Sequence, residues 1–119
     1  MKVALLLIDL QNDFLDVPNL EPAANEIVER ATTLCDRCRV LGIPIIHIWT
    51  TINADVDNRM THWQRNNQWR CVQGTSGHQV PQSLHPNSQE IIIKNIYSYF
   101  TARYKSNIVA SPNLSKRVS

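Results

Sequence analysis

Residues Val3–Ile8 read VALLLI, and Asp9 follows directly. Six apolar residues with no polar one between them suit a strand covered on both faces, as in a parallel sheet with helices above and below it. Asp9 then falls at the C-terminal end of the strand. That is the edge of an open parallel sheet at which ligands sit. A carboxylate there is a candidate general base, and the competing reading is an Asp that caps the next turn.

Downstream, residues 10–20 read as loop, with Gln11, Asn12, Asp13, Pro18 and Asn19. A helix follows. Pro22 stands near its start, where a missing N–H costs nothing. Ile27, Ala31, Leu34, Cys38 and Leu41 recur at four- and three-residue steps and predict its packing face, while Glu29, Arg30, Asp36, Arg37 and Arg39 fall mostly off it. Gly42 can end the helix, and Pro44 prevents its continuing. Residues 43–49, IPIIHIW, form a second strand-like run, and Glu90–Lys94, EIIIK, a third. Strand, helix and strand make a βαβ unit, with a parallel pair and a right-handed crossover. The polar stretch 53–88 is too long for a plain connection, so it is expected to carry function or hidden short helices. The chain has no internal repeat and no low-complexity segment.

Lys94 ends the third strand, so it projects at the same sheet edge as Asp9. A lysine beside a carboxylate stays protonated and stabilises a thiolate or a developing oxyanion. Alone, it reads as a surface lysine whose stem lies along the fold. The pair at one edge is more telling than either member.

The 119 residues suffice for one small domain, and 43% hydrophobic with 18% charged residues is ordinary for a globular protein. Six apolar residues after Met1 and Lys2 fall short of a secretory core of about 7–15, and no stretch nears the roughly 20 of a membrane span. A cytoplasmic protein is expected. Cys35, Cys38 and Cys71 are odd in number and too few for a disulfide scaffold, which agrees with a reducing compartment. The net charge of +2 is uneven: Arg103, Lys105, Lys116 and Arg117 give residues 101–119 a charge of +4, and the other 100 residues sum to −2. Without interleaved aromatics the basic tail makes a poor nucleic-acid site, so no nucleic-acid partner is expected.

The segment Leu5–Phe14, LLLIDLQNDF, resembles the opening motif of the isochorismatase-like cysteine hydrolases, a family with isochorismatases, nicotinamidases and N-carbamoylsarcosine amidohydrolase. The helix to Gly42, the strand IPIIHIW, Cys71–Pro86 (CVQGTSGHQVPQSLHP) and Glu90–Phe100 (EIIIKNIYSYF) are similar to the elements that follow, in the same order. The resemblance covers about residues 3–100. It implies a three-layer Rossmann-like α/β fold with a parallel sheet in the order 3-2-1-4-5-6, of which strands 1–3 are written here. It implies hydrolysis of a small-molecule amide or vinyl ether through a Cys-Asp-Lys triad, with Asp9 as general base and Lys94 favouring the thiolate. Phe14 matches a position that lines the substrate pocket. No cofactor is implied, no membrane partner is expected, and a homo-oligomer is left open.

The departures are as informative. In the family the nucleophilic cysteine lies well beyond the lysine, after another helix and strand, and this sequence has no cysteine after Cys71. TARYKSNIVASPNLSKRVS, from Thr101 on, does not resemble that pattern. The expected division is therefore an isochorismatase-like domain at 1–100, incomplete at its C-terminus, and a basic tail at 101–119. A truncated or frameshifted reading would account for the tail. The rival reading is a catalytically inactive fragment that serves as a binding or dimerisation element. A first strand without its fourth-strand neighbour would expose a hydrophobic edge, so low stability is expected of the isolated polypeptide.

The remaining candidates read as structural. Cys71 sits in a loop before a Gly-containing turn. Cys35 and Cys38 form C-x-x-C mid-helix, whereas redox pairs sit at a helix N-terminus. No metal site is expected: nicotinamidases place Asp-x-His just after the second strand, and here Thr50, Thr51 and Ile52 stand there. His47 lies within the strand, and His62, His78 and His85 are scattered. Gly74-Thr75-Ser76-Gly77 lacks the Gly-Lys-Ser/Thr of a phosphate loop, and no G-x-G-x-x-G follows the first strand. Arg65 and Arg70 read as solvated loop residues.

Overall fold

A computed structural model describes residues 2–95. The elements are β1 (Leu5–Ile8), α1 (Asn12–Leu15), α2 (Ala24–Val40), β2 (Ile45–Thr50), α3 (Thr61–Arg65) and β3 (Ile91–Asn95), with 3-10 turns at Ser76–His78 and Gln82–Leu84. Every side chain of β2 is buried, as a strand flanked on both edges and both faces requires. It lies between β1 and β3 and is parallel to both, in the order β1-β2-β3. Ile8 pairs with Ile48, and Trp49 with Lys94, so Asp9 and Lys94 both sit at the C-terminal edge. The α/β fold and this strand order agree with the sequence reading. The fourth strand that the resemblance implies, the boundary at residue 100 and the tail 101–119 all lie outside the described residues.

Alternation decides which strand positions meet the helix layer. Leu7, Ile45 and Trp49 join Cys35, Cys38, Val80 and Leu84 in one buried cluster, with Val28 and Ala31 packed against it. The buried face of α2 is therefore Val28, Ala31, Cys35 and Cys38. The expected stripe is rotated by part of a turn: Leu34 is 47% and Leu41 72% exposed. The small thiols face the sheet because Leu84 and Trp49 already fill the space there, and close helix–sheet approach favours small side chains. Helix α2 ends as expected. Gly42 takes φ 71°, its N–H donates to the Arg39 carbonyl, and the Ile43 N–H donates to the Cys38 carbonyl, a Schellman closure.

One segment differs from its loop reading. Asn12–Leu15 is one helical turn, closed by Leu15 N–H to the Gln11 carbonyl and Asp16 N–H to the Asn12 carbonyl. A single turn has no periodicity to read. The stretch 53–88 contains α3 and the two 3-10 turns, which are the hidden short helices expected of it.

At the opposite end of the strands Glu90, with a side chain only 7% exposed, joins three elements. Its carboxylate accepts from Arg39 Nε at 2.7 Å and Nη2 at 2.9 Å, and it meets His47 Nε2 at 2.8 Å. Arg39 comes from α2 and His47 from β2, so Glu90 fastens the entry of β3 to both. The Arg39 hydrogen bonds hold its carboxyl at about 2, well below the ordinary 4.5. A depressed carboxyl contributes stability that is complete above the unfolded value and is lost as pH falls from 4.5 towards about 2. Glu90→Gln is expected to cost about 2–3 kcal/mol near neutral pH, because it leaves Arg39 without its charge partner. It should also flatten the acid limb of stability. Urea unfolding of both proteins at pH 7 and pH 3 checks this, and equal losses at the two pH values would refute the assignment.

Candidate active site at the sheet edge

Asp9 ends β1 in the left-handed region, φ 58°. Asp is one of the few residues that tolerate this conformation, and for it the backbone cost is small. The turn keeps its N–H on β2, donating to the Ile48 carbonyl at 3.0 Å. Asp9 Oδ1 accepts a hydrogen bond from Thr50 Oγ1 at 2.9 Å. Burial raises the Asp9 carboxyl above its ordinary value, and the Thr50 hydrogen bonds pull against that rise. The result is a half-buried carboxylate, held at one oxygen, at the edge where open sheets bind ligands.

Thr50 is itself fixed by Gln11, which is fully buried. Gln11 Oε1 accepts from the Thr50 N–H at 2.9 Å, and its Nε2 donates to the Thr50 carbonyl at 2.8 Å and the His78 carbonyl at 2.7 Å. One amide thus ties the end of β2 to the Ser76–His78 turn. Sequence reasoning passed over both residues. Gln11 looked like a loop polar residue, and Thr50 entered only as a missing metal ligand.

Asp13 does similar work next door. Its Oδ2 accepts the Cys71 N–H at 2.7 Å, which holds Cys71 at φ 54°. Gly77 packs directly on that carboxylate, so that a β-carbon at 77 would collide with it. The Cys71 thiol is buried and pushed up to about 12, by burial first and then by the negative charges of Asp13 and Asp9. A thiol so protonated is no nucleophile at neutral pH. Cys35 and Cys38 are buried in the core.

Lys94 is exposed, and its ammonium lies 5.9 Å from the centroid of Trp49. The ion pairs within 4.0 Å among the described residues do not include Lys94 with Asp9. His78 packs edge-on against Trp49 at 5.4 Å, and its Nε2 shares a hydrogen bond with Thr51 Oγ1 at 2.9 Å. Burial and then the Lys94 charge lower the His78 pKa, which favours the neutral ring. Phe14, on α1, is half-buried with its centroid 6.2 Å from that of Trp63. Asp9 and Lys94 thus share an edge without touching, and Phe14 belongs to an aromatic pair beside it.

A cleft of about 490 Å³ opens beside this edge, lined by Asp13, Trp69, Val72 and Gly77 among others. A larger one of about 830 Å³ lies between α1 and α2, lined by Leu15, Val28 and Thr32 among others, and neither cleft is lined by Asp9 or Lys94. Chemistry rather than size therefore marks the site. Among the described residues no three His, Cys, Asp or Glu side chains are grouped to hold a metal ion, and no helix is long and apolar enough to cross a membrane.

The sequence profile of the Isochorismatase domain matches residues 3–116. The chain belongs to the isochorismatase family. Its fold is similar to that of an isochorismatase family protein from Desulfovibrio vulgaris, at TM-score 0.65 and 30% identity, over 78% of this chain and 52% of that one. An isochorismatase from Pseudomonas putida is similar at TM-score 0.59 and 26% identity, over 78% and 41% of the two chains. N-carbamoylsarcosine amidase from Thermoplasma acidophilum shares the fold at TM-score 0.63 and 21% identity, over 80% and 52%. The chain spans about half the length of these relatives. Among curated proteins none matches it.

Proposed function

We propose that this isochorismatase-family chain supplies the acid–base half of a cysteine hydrolase acting on a small-molecule amide or vinyl ether. The observation that carries the reading is the half-buried Asp9 carboxylate at the end of β1, held at one oxygen and raised by burial. A general base works best when its pKa lies nearer the operating pH than an ordinary carboxylate's does. On an amide, Asp9 takes the proton from a thiol, the thiolate adds to the carbonyl carbon, and the same proton passes to the departing amine. Water then releases the acyl group, with Asp9 again as the base. Lys94 stabilises the thiolate from the end of β3, across β2 from Asp9, once its side chain swings from Trp49 towards Asp9. Phe14, paired with Trp63, offers an aromatic wall to a flat or apolar substrate.

The thiol is not one of the three cysteines seen here, because each is buried. The test is hydrolysis of a panel of small amides and vinyl ethers by the protein purified from its native source, before and after iodoacetamide. Alkylation is expected to abolish turnover while the peptide carrying Cys71 stays unlabelled. Turnover that survives full alkylation, or that is lost only as Cys71 becomes labelled, refutes the proposal.

A further inference from the structure

We infer that Thr50 is a positioning residue for Asp9, and that Gln11 holds Thr50 in place to do it. The inference rests on the hydrolase reading only for its catalytic consequence; the hydrogen-bond relay itself stands on geometry. Thr50 is 3% exposed and Gln11 fully buried, so neither competes with water for its partners. Gln11 grips both the N–H and the carbonyl of Thr50, at 2.9 and 2.8 Å, which leaves this residue little freedom to turn. From that fixed backbone the hydroxyl donates to Asp9 Oδ1 at 2.9 Å.

Two consequences follow for a base. The hydroxyl bond favours the charged carboxylate and offsets part of the burial that opposes it. It also occupies one oxygen, so the proton is taken by Oδ2. Asp9 stands alone at the tip of a strand in a left-handed turn, and without Thr50 its side chain could rotate away from the reacting thiol. The other titratable groups around it are Cys71, protonated and buried, and Asp13 behind Cys71, with Lys94 and His78 at the same sheet edge. Among the described residues none of them donates a hydrogen bond to the Asp9 carboxylate, so it is Thr50 that opposes the rise which burial imposes on Asp9.

The test compares Thr50→Val and Thr50→Ser with the unmodified full chain. The Asp9 carboxyl is titrated by carbon NMR, and kcat and KM are measured across pH. Thr50→Val is expected to raise the Asp9 pKa by about 1 unit and to lower kcat about tenfold with KM nearly unchanged. Thr50→Ser, which keeps the hydroxyl, is expected to restore both. If Thr50→Val does not fold, Thr50→Ala removes the same hydroxyl without a buried branch and takes its place. An Asp9 titration that does not move in the hydroxyl-free variant overturns the inference. So does a Thr50→Ser protein that behaves like Thr50→Val. If the unmodified protein turns over no substrate, the hydrolase reading falls, and the NMR titration still decides the role of Thr50.

Discussion

Asp9→Asn is expected to lower kcat/KM by about 10²–10⁴-fold, the usual contribution of a positioned general base. The substitution is nearly isosteric. An asparagine oxygen still accepts the Thr50 hydroxyl, and asparagine tolerates the φ of 58° as readily as aspartate does. The fold should therefore survive, with the loss appearing in kcat rather than in the unfolding midpoint. What the amide lacks is a site for the thiol proton. Because burial raises the Asp9 carboxyl, the acid limb of the unmodified protein should lie above the ordinary value of an aspartate. Activity falls as pH drops through that limb, since only the ionised form accepts a proton. In Asp9→Asn the limb should vanish along with most of the rate. The pH–rate profiles of both proteins check this, and a variant within about twofold of the parent would remove Asp9 from the chemistry.

The largest effect on stability is expected from Gln11→Ala. Three backbone groups, the Thr50 N–H and the carbonyls of Thr50 and His78, find their partner in this one amide. Each buried polar group left unpaired costs about 1–3 kcal/mol, so a total of about 3–5 kcal/mol is expected. A truncation cavity adds to it. Gln11→Glu separates polarity from size. A carboxylate can still accept the Thr50 N–H, but its second oxygen would face two carbonyls. It should destabilise about as much as alanine does, although it fills the same space. Urea unfolding of the three proteins is the measurement. A Gln11→Glu protein as stable as the parent would show that the amide nitrogen contributes nothing.

Much of the architecture was legible because it depends on local pattern. An unbroken apolar run can only be a doubly covered strand or a buried helix, and the Asp after VALLLI and the Gly-x-Pro before IIHIW set the lengths. The strands fall within two residues of their expected limits. The helix face was harder. Ile27, Leu34 and Leu41 made an attractive stripe, yet the sheet takes Val28, Ala31, Cys35 and Cys38. Composition rewards large apolar residues, whereas packing rewards whatever fits between a tryptophan and a leucine. At the site, Asp9 and Lys94 could be placed at one edge because each ends a strand. Gln11 and Thr50 could not be read, because their roles depend on which backbone groups remain unpaired after a turn. That depends on how distant segments meet, and the Gln11 amide reaches a residue 67 positions away. Cys71 needed the structure for a similar reason, since burial and two carboxylates hold its thiol protonated.

The contact of Gly77 with the Asp13 carboxylate bears on how this sequence can change over generations. Asp13 cannot move aside for a larger residue at 77 without releasing the Cys71 N–H, and it holds Cys71 in a backbone conformation that a cysteine rarely adopts unaided. A side chain at 77 becomes tolerable only after position 13 has shortened. Position 13 can shorten only after position 71 has found another way to stay turned, for instance by becoming glycine. The three sites form a ratchet: the order of substitutions matters, and the first step in either direction loses stability. A lineage carrying this chain can vary the exposed face of α2 one residue at a time. It can leave Cys71, Asp13 and Gly77 only in that order.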